Sequence, residues 1–324
     1  MRVPDEVLKC VGFIGEVTHK DESGSSGDLH ATGFFISVPC EAEELKHLTS
    51  CYFVTAKHVA LDLKGKEVYF LVNKIGGGVT TIEQHGGNWW LHPDDKAADV
   101  AVIEVGGQAG VDWRNVSAEH FVTPDLIQRL DIGVGDEVFM TGLFTEAPGE
   151  DKNLPIVRHG NIAMMPDEQI QTELGYADVY LVEGRSIGGL SGSPVFVRPT
   201  MATFGVTADG SKLLMYAPGP GVNLLGLAHG HWDIKESEMN KPFFTHDRKR
   251  GVNLGICIVT PALKILETLY REELVKRRRE QERNLIRKSV PGMDSAKTDT
   301  KTQFTQEDFN NALKQVSRKI SPKK

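Results

Sequence analysis

Several features that would assign the chain to a special class are scarce or missing. The 324 residues include only four cysteines, Cys10, Cys40, Cys51 and Cys257, whose scattered spacing gives no Cys-x-x-Cys motif and no disulfide pattern. No apolar run reaches the roughly 18 residues that a membrane-spanning helix requires. The first ten residues lack the apolar stretch of a secretory signal. We therefore expect a cytoplasmic protein with reduced thiols that does not enter a membrane.

Charge is divided unevenly between the body of the chain and its end. The 37 Lys and Arg residues and 44 Asp and Glu residues give a formal net charge of −7. Residues 271–324 carry +7, so the preceding part of the chain carries −14. An acidic body is a poor match for a phosphate backbone. Nucleic acid is therefore not an expected partner of the body.

Short apolar segments separated by turn residues extend from about residue 10 to residue 260. They are rich in Val, Ile, Phe and Tyr, and clusters of Gly, Asp, Pro and Asn interrupt them. This composition is typical of β-strands joined by turns. A short helix is predicted at mid-chain, over residues 124–130. The pattern as a whole predicts an all-β fold, either a sandwich or barrels.

The pattern becomes helical after Pro261, which suits a first helical turn. One apolar stripe at helical spacing is formed by Leu263, Leu266, Tyr270 and Leu274. The charged continuation over residues 276–283 predicts a solvated helix beyond the body, or alternatively an element that docks on an acidic partner or nucleic acid. Residues 289–303 are typical of a flexible linker. A second stripe over residues 309–320 either folds back on the body or binds another protein.

Three segments carry the residue types of nucleophilic hydrolysis. His58 follows the run Phe-Val-Thr-Ala-Lys, Asp99 opens the apolar run Val-Ala-Val-Ile, and Ser191 lies within Gly-Leu-Ser-Gly-Ser-Pro. A serine hydroxyl is a weak nucleophile at neutral pH, so an imidazole must accept its proton and a carboxylate must orient the imidazole. Because a carboxylate is costly to bury without a donor, an N–H group of a histidine is a suitable partner for Asp99.

These motifs resemble those of the trypsin/chymotrypsin-like serine proteases, which carry Thr-Ala-x-His, Asp-x-Ala and Gly-x-Ser-Gly-x-Pro. Because it lacks a disulfide pattern, the chain resembles a bacterial-type, disulfide-free branch of that family. The resemblance implies a peptidase domain over residues 1–270, built of two six-stranded antiparallel β-barrels. The first barrel would span about residues 8–115 and the second about residues 130–260. A basic helical tail, residues 271–324, would follow.

The resemblance also implies an activity and a role for each residue. The chain would be a serine endopeptidase that cleaves a polypeptide substrate through an acyl-enzyme, without a cofactor. His58 would be the general base, Asp99 the orienting carboxylate and Ser191 the nucleophile. The N–H groups of Gly189 and Ser191 would form the oxyanion hole. No metal site is expected, because the histidines show no metal-ligand spacing.

Two departures from the family pattern and one candidate substrate pocket bear on this interpretation. Leu190 replaces an aspartate that pairs with a newly cut N-terminus in trypsin-like digestive enzymes, and Ser193 replaces a glycine. Arg185 and His229 fall in segments that would wall the substrate pocket, or they are surface or structural residues. The alternative to an enzyme is a catalytically silent, protease-like module that binds a protein partner through its cleft and its C-terminal tail.

Overall fold

Two β-rich units follow one another along the chain, and helices close the described part. A computed structural model describes residues 3–21, 24–84, 88–184, 189–199, 202–206, 212–216, 221–235 and 251–289. The strands of the first unit are β1 (Val11–Glu16), β2 (His19–Asp21), β3 (Gly24–Ser26), β4 (Leu29–Pro39), β5 (Thr49–Thr55), β6 (Val68–Asn73), β7 (Val79–Gln84), β8 (Trp90–Leu91), β9 (Ala101–Glu104) and β10 (Val116–Ser117).

The first unit is an eight-stranded sheet, and the described residues do not show the closed barrel that the sequence predicted for it. Its order is β7-β6-β1-β4-β5-β9-β8, with β10 added in parallel to β4, while β2 and β3 form a separate hairpin. Within the described residues the end strands β7 and β8 are not paired with each other. Strand β8 has only two residues, Trp90 and Leu91, and both pair with β9.

Phenylalanine rings fill the core of the first unit. Five are fully buried: Phe13, Phe34, Phe35, Phe53 and Phe70. The ring of Phe53 stacks on Phe70 at a centroid distance of 4.0 Å and meets Phe35 edge-on at 4.9 Å. A Cβ on Gly33 would lie 2.2 Å from the Phe53 ring, so only glycine admits that ring here. This packing fixes the ends of β4 and β5, where the candidate site begins.

The second unit contains a closed antiparallel barrel, which confirms the second of the two predicted barrels. Its strands run in the order β11-β12-β15-β20-β19-β16. They are β11 (Glu137–Gly142), β12 (Ile156–Met164), β15 (Tyr180–Glu183), β16 (Pro194–Arg198), β19 (Asn223–Lys235) and β20 (Gly251–Pro261). Two further hairpins are formed by β13 (Ile170–Thr172) with β14 (Gly175–Ala177), and by β17 (Ala202–Val206) with β18 (Lys212–Tyr216). Alternate residues such as Val138 and Met140 point into the barrel core and are at most 2 % exposed.

Helices are few and short before residue 261. They are α1 (Asp5–Leu8), α2 (Lys57–Asp62), α3 (Pro124–Leu130), α4 (Ala262–Leu269) and α5 (Glu272–Ser289), with 3₁₀ turns at Glu43–Leu45 and Ala118–His120. The predicted helix over residues 124–130 is confirmed as α3, which the Thr123 side chain caps. The single helix predicted after Pro261 is instead two helices. They are separated at Tyr270 and Arg271, where the Arg271 guanidinium donates to the carbonyl of Leu91.

Helix α5 lies against the first unit, although the sequence predicted a solvated extension there. The guanidinium of Arg278 is buried and donates to the hydroxyl of Tyr52 at 3.2 Å. The carboxylate of Glu282 is also buried and accepts the N–H groups of Glu41 and Ala42 at 3.0 and 2.8 Å. The prediction of a solvated helix is therefore wrong for this face, because charged side chains here satisfy buried polar groups of the body.

The described chain ends at Ser289, so most of the predicted linker and the stripe over residues 309–320 lie outside the described residues. In the part that is described, no helix combines the length and the apolar character needed to cross a membrane. The same residues hold no cluster of three or more metal-binding side chains. The four cysteines are unpaired.

Candidate active site

His58 lies in the first turn of α2, directly after a buried strand. The side chains of Phe53 and Val54 in β5 have no exposed area, which fixes the end of that strand. Ala56 then keeps an extended backbone before the helix begins at Lys57. The chain therefore turns at the rim of the core. The His58 side chain remains 34 % exposed, so the imidazole is held at one edge and open at the other.

Asp99 approaches the same histidine from the segment before β9. Its side chain is fully buried between Ala98 and Val100, which are also buried. Oδ1 accepts the backbone N–H of His58 at 2.9 Å, and Oδ2 lies 2.8 Å from Nδ1 of the imidazole. Burial alone would raise the pKa of Asp99. The hydrogen bonds and positive charge of its neighbours outweigh burial and hold that pKa below its ordinary value.

This pairing determines the tautomer of His58. An ionised carboxylate can only accept hydrogen bonds, so the hydrogen between the two groups belongs to Nδ1. In a neutral imidazole the other nitrogen, Nε2, then carries a lone pair and can accept a proton. The arrangement therefore presents a base at the exposed edge of the ring.

Ser191 lies in a tight turn that enters β16. The N–H of Ser193 donates to the carbonyl of Leu190 at 3.0 Å, which closes the turn. Gly192 has φ +82° and Gly189 has φ +91°, a region that residues with a Cβ rarely adopt. The Leu190 side chain is fully buried in the barrel core and anchors the turn. The glycines therefore allow the tight turn in which Ser191 lies, and buried Leu190 holds that turn in place.

The Ser191 turn presses against the residues that precede His58. A Cβ on Gly192 would lie 2.3 Å from the carbonyl oxygen of Thr32 and 3.0 Å from the backbone nitrogen of Ala56. The N–H of Thr32 donates to the carbonyl of Ser191 at 3.1 Å. The serine and the histidine–aspartate pair thus come from different units and meet at one junction. No hydrogen bond joins the hydroxyl of Ser191 to the ring of His58, both of which are described.

The backbone around Ser191 offers hydrogen-bond donors. The N–H groups of Gly189 and Ser191 donate to no acceptor among the described residues. At the positions that depart from the family pattern, Leu190 is a core residue and Ser193 is fully buried. The Ser193 hydroxyl has no partner within the described part of the chain. Because Leu190 is apolar, it cannot form the ion pair of the digestive enzymes.

His229, one of the two candidates for the substrate pocket, contacts Asp99. It is only 7 % exposed, and its Nδ1 lies 3.6 Å from Oδ2 of Asp99. Its ring centroid lies 5.9 Å from that of His58. Burial lowers the pKa of His229. The negative charge of Asp99 raises it, the charges of His58 and Lys57 lower it, and the net shift is downward. The second pocket candidate, Arg185, lies outside the described residues.

A polar network that the sequence did not predict holds the segment before Asp99. The imidazole of His92 lies 2.7 Å from the carboxylate of Glu267 in α4, and its Nδ1 accepts the N–H of Asp95. The ammonium of Lys264 lies 2.9 Å from the Asp95 carboxylate. Burial would raise the pKa of Asp95, but its bonds to Lys264 and to backbone N–H groups lower it. In the sequence, the only signal for this ion pair is that Asp95 and Lys264 have opposite charges, and the two residues are far apart along the chain.

Comparisons with known proteins give structural similarity at low sequence identity. No protein-family model and no curated protein sequence matches the chain. Among solved structures, the chain is similar to the MamO protease domain from Magnetospirillum magneticum, with 14% identity, coverage of 81% of this chain and 96% of that chain, and a TM-score of 0.45. It is similar to Deg5, with 13% identity, 70% and 81% coverage and a TM-score of 0.40. It is also similar to the Rv3671c protease of M. tuberculosis H37Rv in an inactive form, with 14% identity, 82% and 89% coverage and a TM-score of 0.42.

Proposed function

We propose that the chain is a serine endopeptidase of the trypsin/chymotrypsin-like type. The observation that carries the proposal is the buried carboxylate of Asp99, which binds His58 through both of its oxygens. A buried acid that fixes the tautomer of a half-exposed imidazole is a costly arrangement with a direct use in proton transfer. The tight turn of Ser191 at the same junction, in which Gly189 and Gly192 have positive φ, supports a nucleophile there.

In the proposed reaction Ser191 attacks the carbonyl carbon of a peptide bond. Its Oγ forms the new bond while Nε2 of His58 accepts the hydroxyl proton, and the negative charge of Asp99 stabilises the imidazolium. The N–H groups of Gly189 and Ser191 donate to the carbonyl oxygen as it becomes an anion. The carbon–nitrogen bond then breaks, and the departing amine takes the proton from His58. Water, activated by the same imidazole, releases the acyl group and restores the serine.

Covalent labelling of the folded protein tests this proposal. We expect a fluorophosphonate probe to modify the full chain at Ser191, and Ser191→Ala to lower the labelling rate by several powers of ten. Ser193→Ala is a matched control, because Ser193 is the next serine along the chain and its buried hydroxyl has no described partner. This control should label as the wild type does. An adduct that persists in Ser191→Ala would contradict the proposal.

Peptide cleavage tests the endopeptidase part separately. A library of unmodified peptides incubated with the wild-type protein should yield internal cuts that are absent with Ser191→Ala and unaffected by a metal chelator. Labelling without any internal cut would instead point to an esterase activity.

A second candidate is the catalytically silent module that binds a protein partner. The observation that favours it is the missing hydrogen bond between the Ser191 hydroxyl and the His58 ring. Such bonds are often long in proteins without substrate and tighten when it binds, which is why we prefer the enzyme. The labelling experiment separates the two, since a folded wild-type protein that forms no adduct at Ser191 supports the silent module.

A further inference from the structure

Thr32 in β4 uses every one of its polar groups at the junction of the two units. Its side chain is fully buried. Its hydroxyl donates to the carbonyl of Gly189 at 2.6 Å and accepts the N–H of Leu143 at 2.8 Å. Its backbone N–H donates to the carbonyl of Ser191 at 3.1 Å, and its own carbonyl accepts the hydroxyl of Thr55 at 2.8 Å. Three of these four bonds cross from the first unit to the second.

These bonds fix two peptide planes of the turn, the one between Gly189 and Leu190 and the one between Ser191 and Gly192. A peptide unit is planar, so anchoring a carbonyl also fixes the direction of the N–H that follows it. Thr32 anchors the carbonyl of Gly189 through its hydroxyl and that of Ser191 through its backbone. The plane after Ser191 is held from its other side as well, since the N–H of Gly192 donates to Ala228 at 2.8 Å.

The space around Thr32 is shaped for this contact. A Cβ on Gly142 would lie 2.7 Å from the Thr32 hydroxyl, and a Cβ on Gly192 would lie 2.3 Å from its carbonyl. Glycines on both sides therefore let the second unit approach closely. A hydroxyl is also the smallest side-chain group that can donate and accept at once, which an aliphatic group of the same shape cannot do.

We propose that Thr32 is a positioning residue, which sets the Ser191 turn of the second unit in register with the His58–Asp99 pair of the first. The inference rests on the proposed function, because it names the residue that aligns the two halves of that site. Thr32 itself touches no substrate in this scheme. Its effect is to hold the turn that carries the nucleophile and the proposed oxyanion donors.

The test replaces the hydroxyl while keeping the shape of the side chain. Thr32→Val should lower the rate of fluorophosphonate labelling at Ser191, and the kcat for a p-nitrophenyl ester, by about 10-fold to 100-fold, as expected of a small misplacement of a reacting group. KM should change little. Thr32→Ser, which keeps the hydroxyl, should restore most of the rate. The matched control is Thr141→Val, because Thr141 in β11 is fully buried and its hydroxyl has no described partner.

Amide hydrogen exchange gives a readout that does not depend on activity. In the folded Thr32→Val variant the N–H groups of Gly192 and Ser193 should exchange faster than in the wild type, and those of Thr141→Val should not. If wild-type protein forms no adduct, the proposed function fails, and exchange at these two amides still decides whether Thr32 holds the turn.

Several results would overturn the inference. If a folded Thr32→Val variant has the wild-type labelling rate and the wild-type rates of amide exchange, the hydroxyl does not hold the turn. An equal slowing in Thr141→Val would assign the effect to general packing. If Thr32→Val does not fold, the Thr32→Ser variant decides. It keeps the hydroxyl, so a labelling rate as low as that of Ser191→Ala would contradict the proposed role.

Discussion

Replacing Asp99 by asparagine separates the two contributions of its carboxylate, the negative charge and the shape. The carboxylate binds the backbone N–H of His58 with one oxygen and Nδ1 with the other. Asparagine has the same shape but only one accepting oxygen, so one of these two bonds must be lost. If the amide NH₂ group faces the ring, the hydrogen of the imidazole moves to Nε2, and that nitrogen can no longer accept a proton from Ser191.

The expected size of the effect differs between activity and stability. A histidine held in the wrong tautomer lowers turnover by about 10⁴-fold, which corresponds to about 5.4 kcal/mol of activation free energy. The free energy of unfolding should fall by no more than about 3 kcal/mol at pH 7, the upper end for one hydrogen bond to a charged group. This difference should shrink at acid pH. The lowered pKa of Asp99 stabilises the fold above its ordinary titration range, and that stabilisation is lost as the pH falls through the folded-state value.

The assay is the labelling rate of Ser191 together with urea unfolding of the same samples. Asp94→Asn is a suitable control, because Asp94 is an exposed acid in the same segment. The control should match the wild type in both measurements. Labelling of Asp99→Asn within about 10-fold of the wild-type rate would refute the reasoning, since the orienting carboxylate would then be dispensable.

Two further predictions concern buried side chains outside the candidate triad. The free energy of unfolding of the wild type should fall between pH 7 and pH 5, because His229 binds a proton more readily in the unfolded chain than in the fold, where burial lowers its pKa. The His229→Gln variant should lack this part of the loss. Urea unfolding that gives the two proteins the same dependence on pH would contradict the prediction. Glu282→Gln keeps one acceptor for the two N–H groups it binds, so it should cost about 1.5–3 kcal/mol of unfolding free energy, whereas exposed Glu280→Gln should cost almost nothing.

The local parts of the candidate site were predictable from sequence because local rules determine them. His58 directly follows one apolar strand, and Asp99 directly precedes another. This pattern predicted the two residues that are in contact in the structure. The helix α3 was predictable for the same reason, since Thr123 and Pro124 supply a cap and a first turn. The glycines beside Ser191 likewise indicated the left-handed turn in which it lies.

The parts that depend on distant contacts were not predictable. A run of Lys, Arg and Glu on a helix is usually solvated, and nothing near Arg278 along the chain indicates that Tyr52 will cover its guanidinium. His229 was noticed as a histidine near the expected pocket, yet its neighbour Asp99 is 130 positions earlier in the chain.

The contacts around the junction suggest why the chain keeps so many buried polar groups there. The histidine–aspartate pair belongs to one unit and the serine to the other, so activity requires that the two units meet in one register. Apolar contacts are non-directional, so they do not by themselves fix one register between the units against a shift of an ångström or so. Hydrogen bonds lose most of their strength over such a shift. The hydroxyl of Thr32 both donates and accepts a hydrogen bond across the boundary between the units. These directional bonds therefore add a fixed register to the apolar contact.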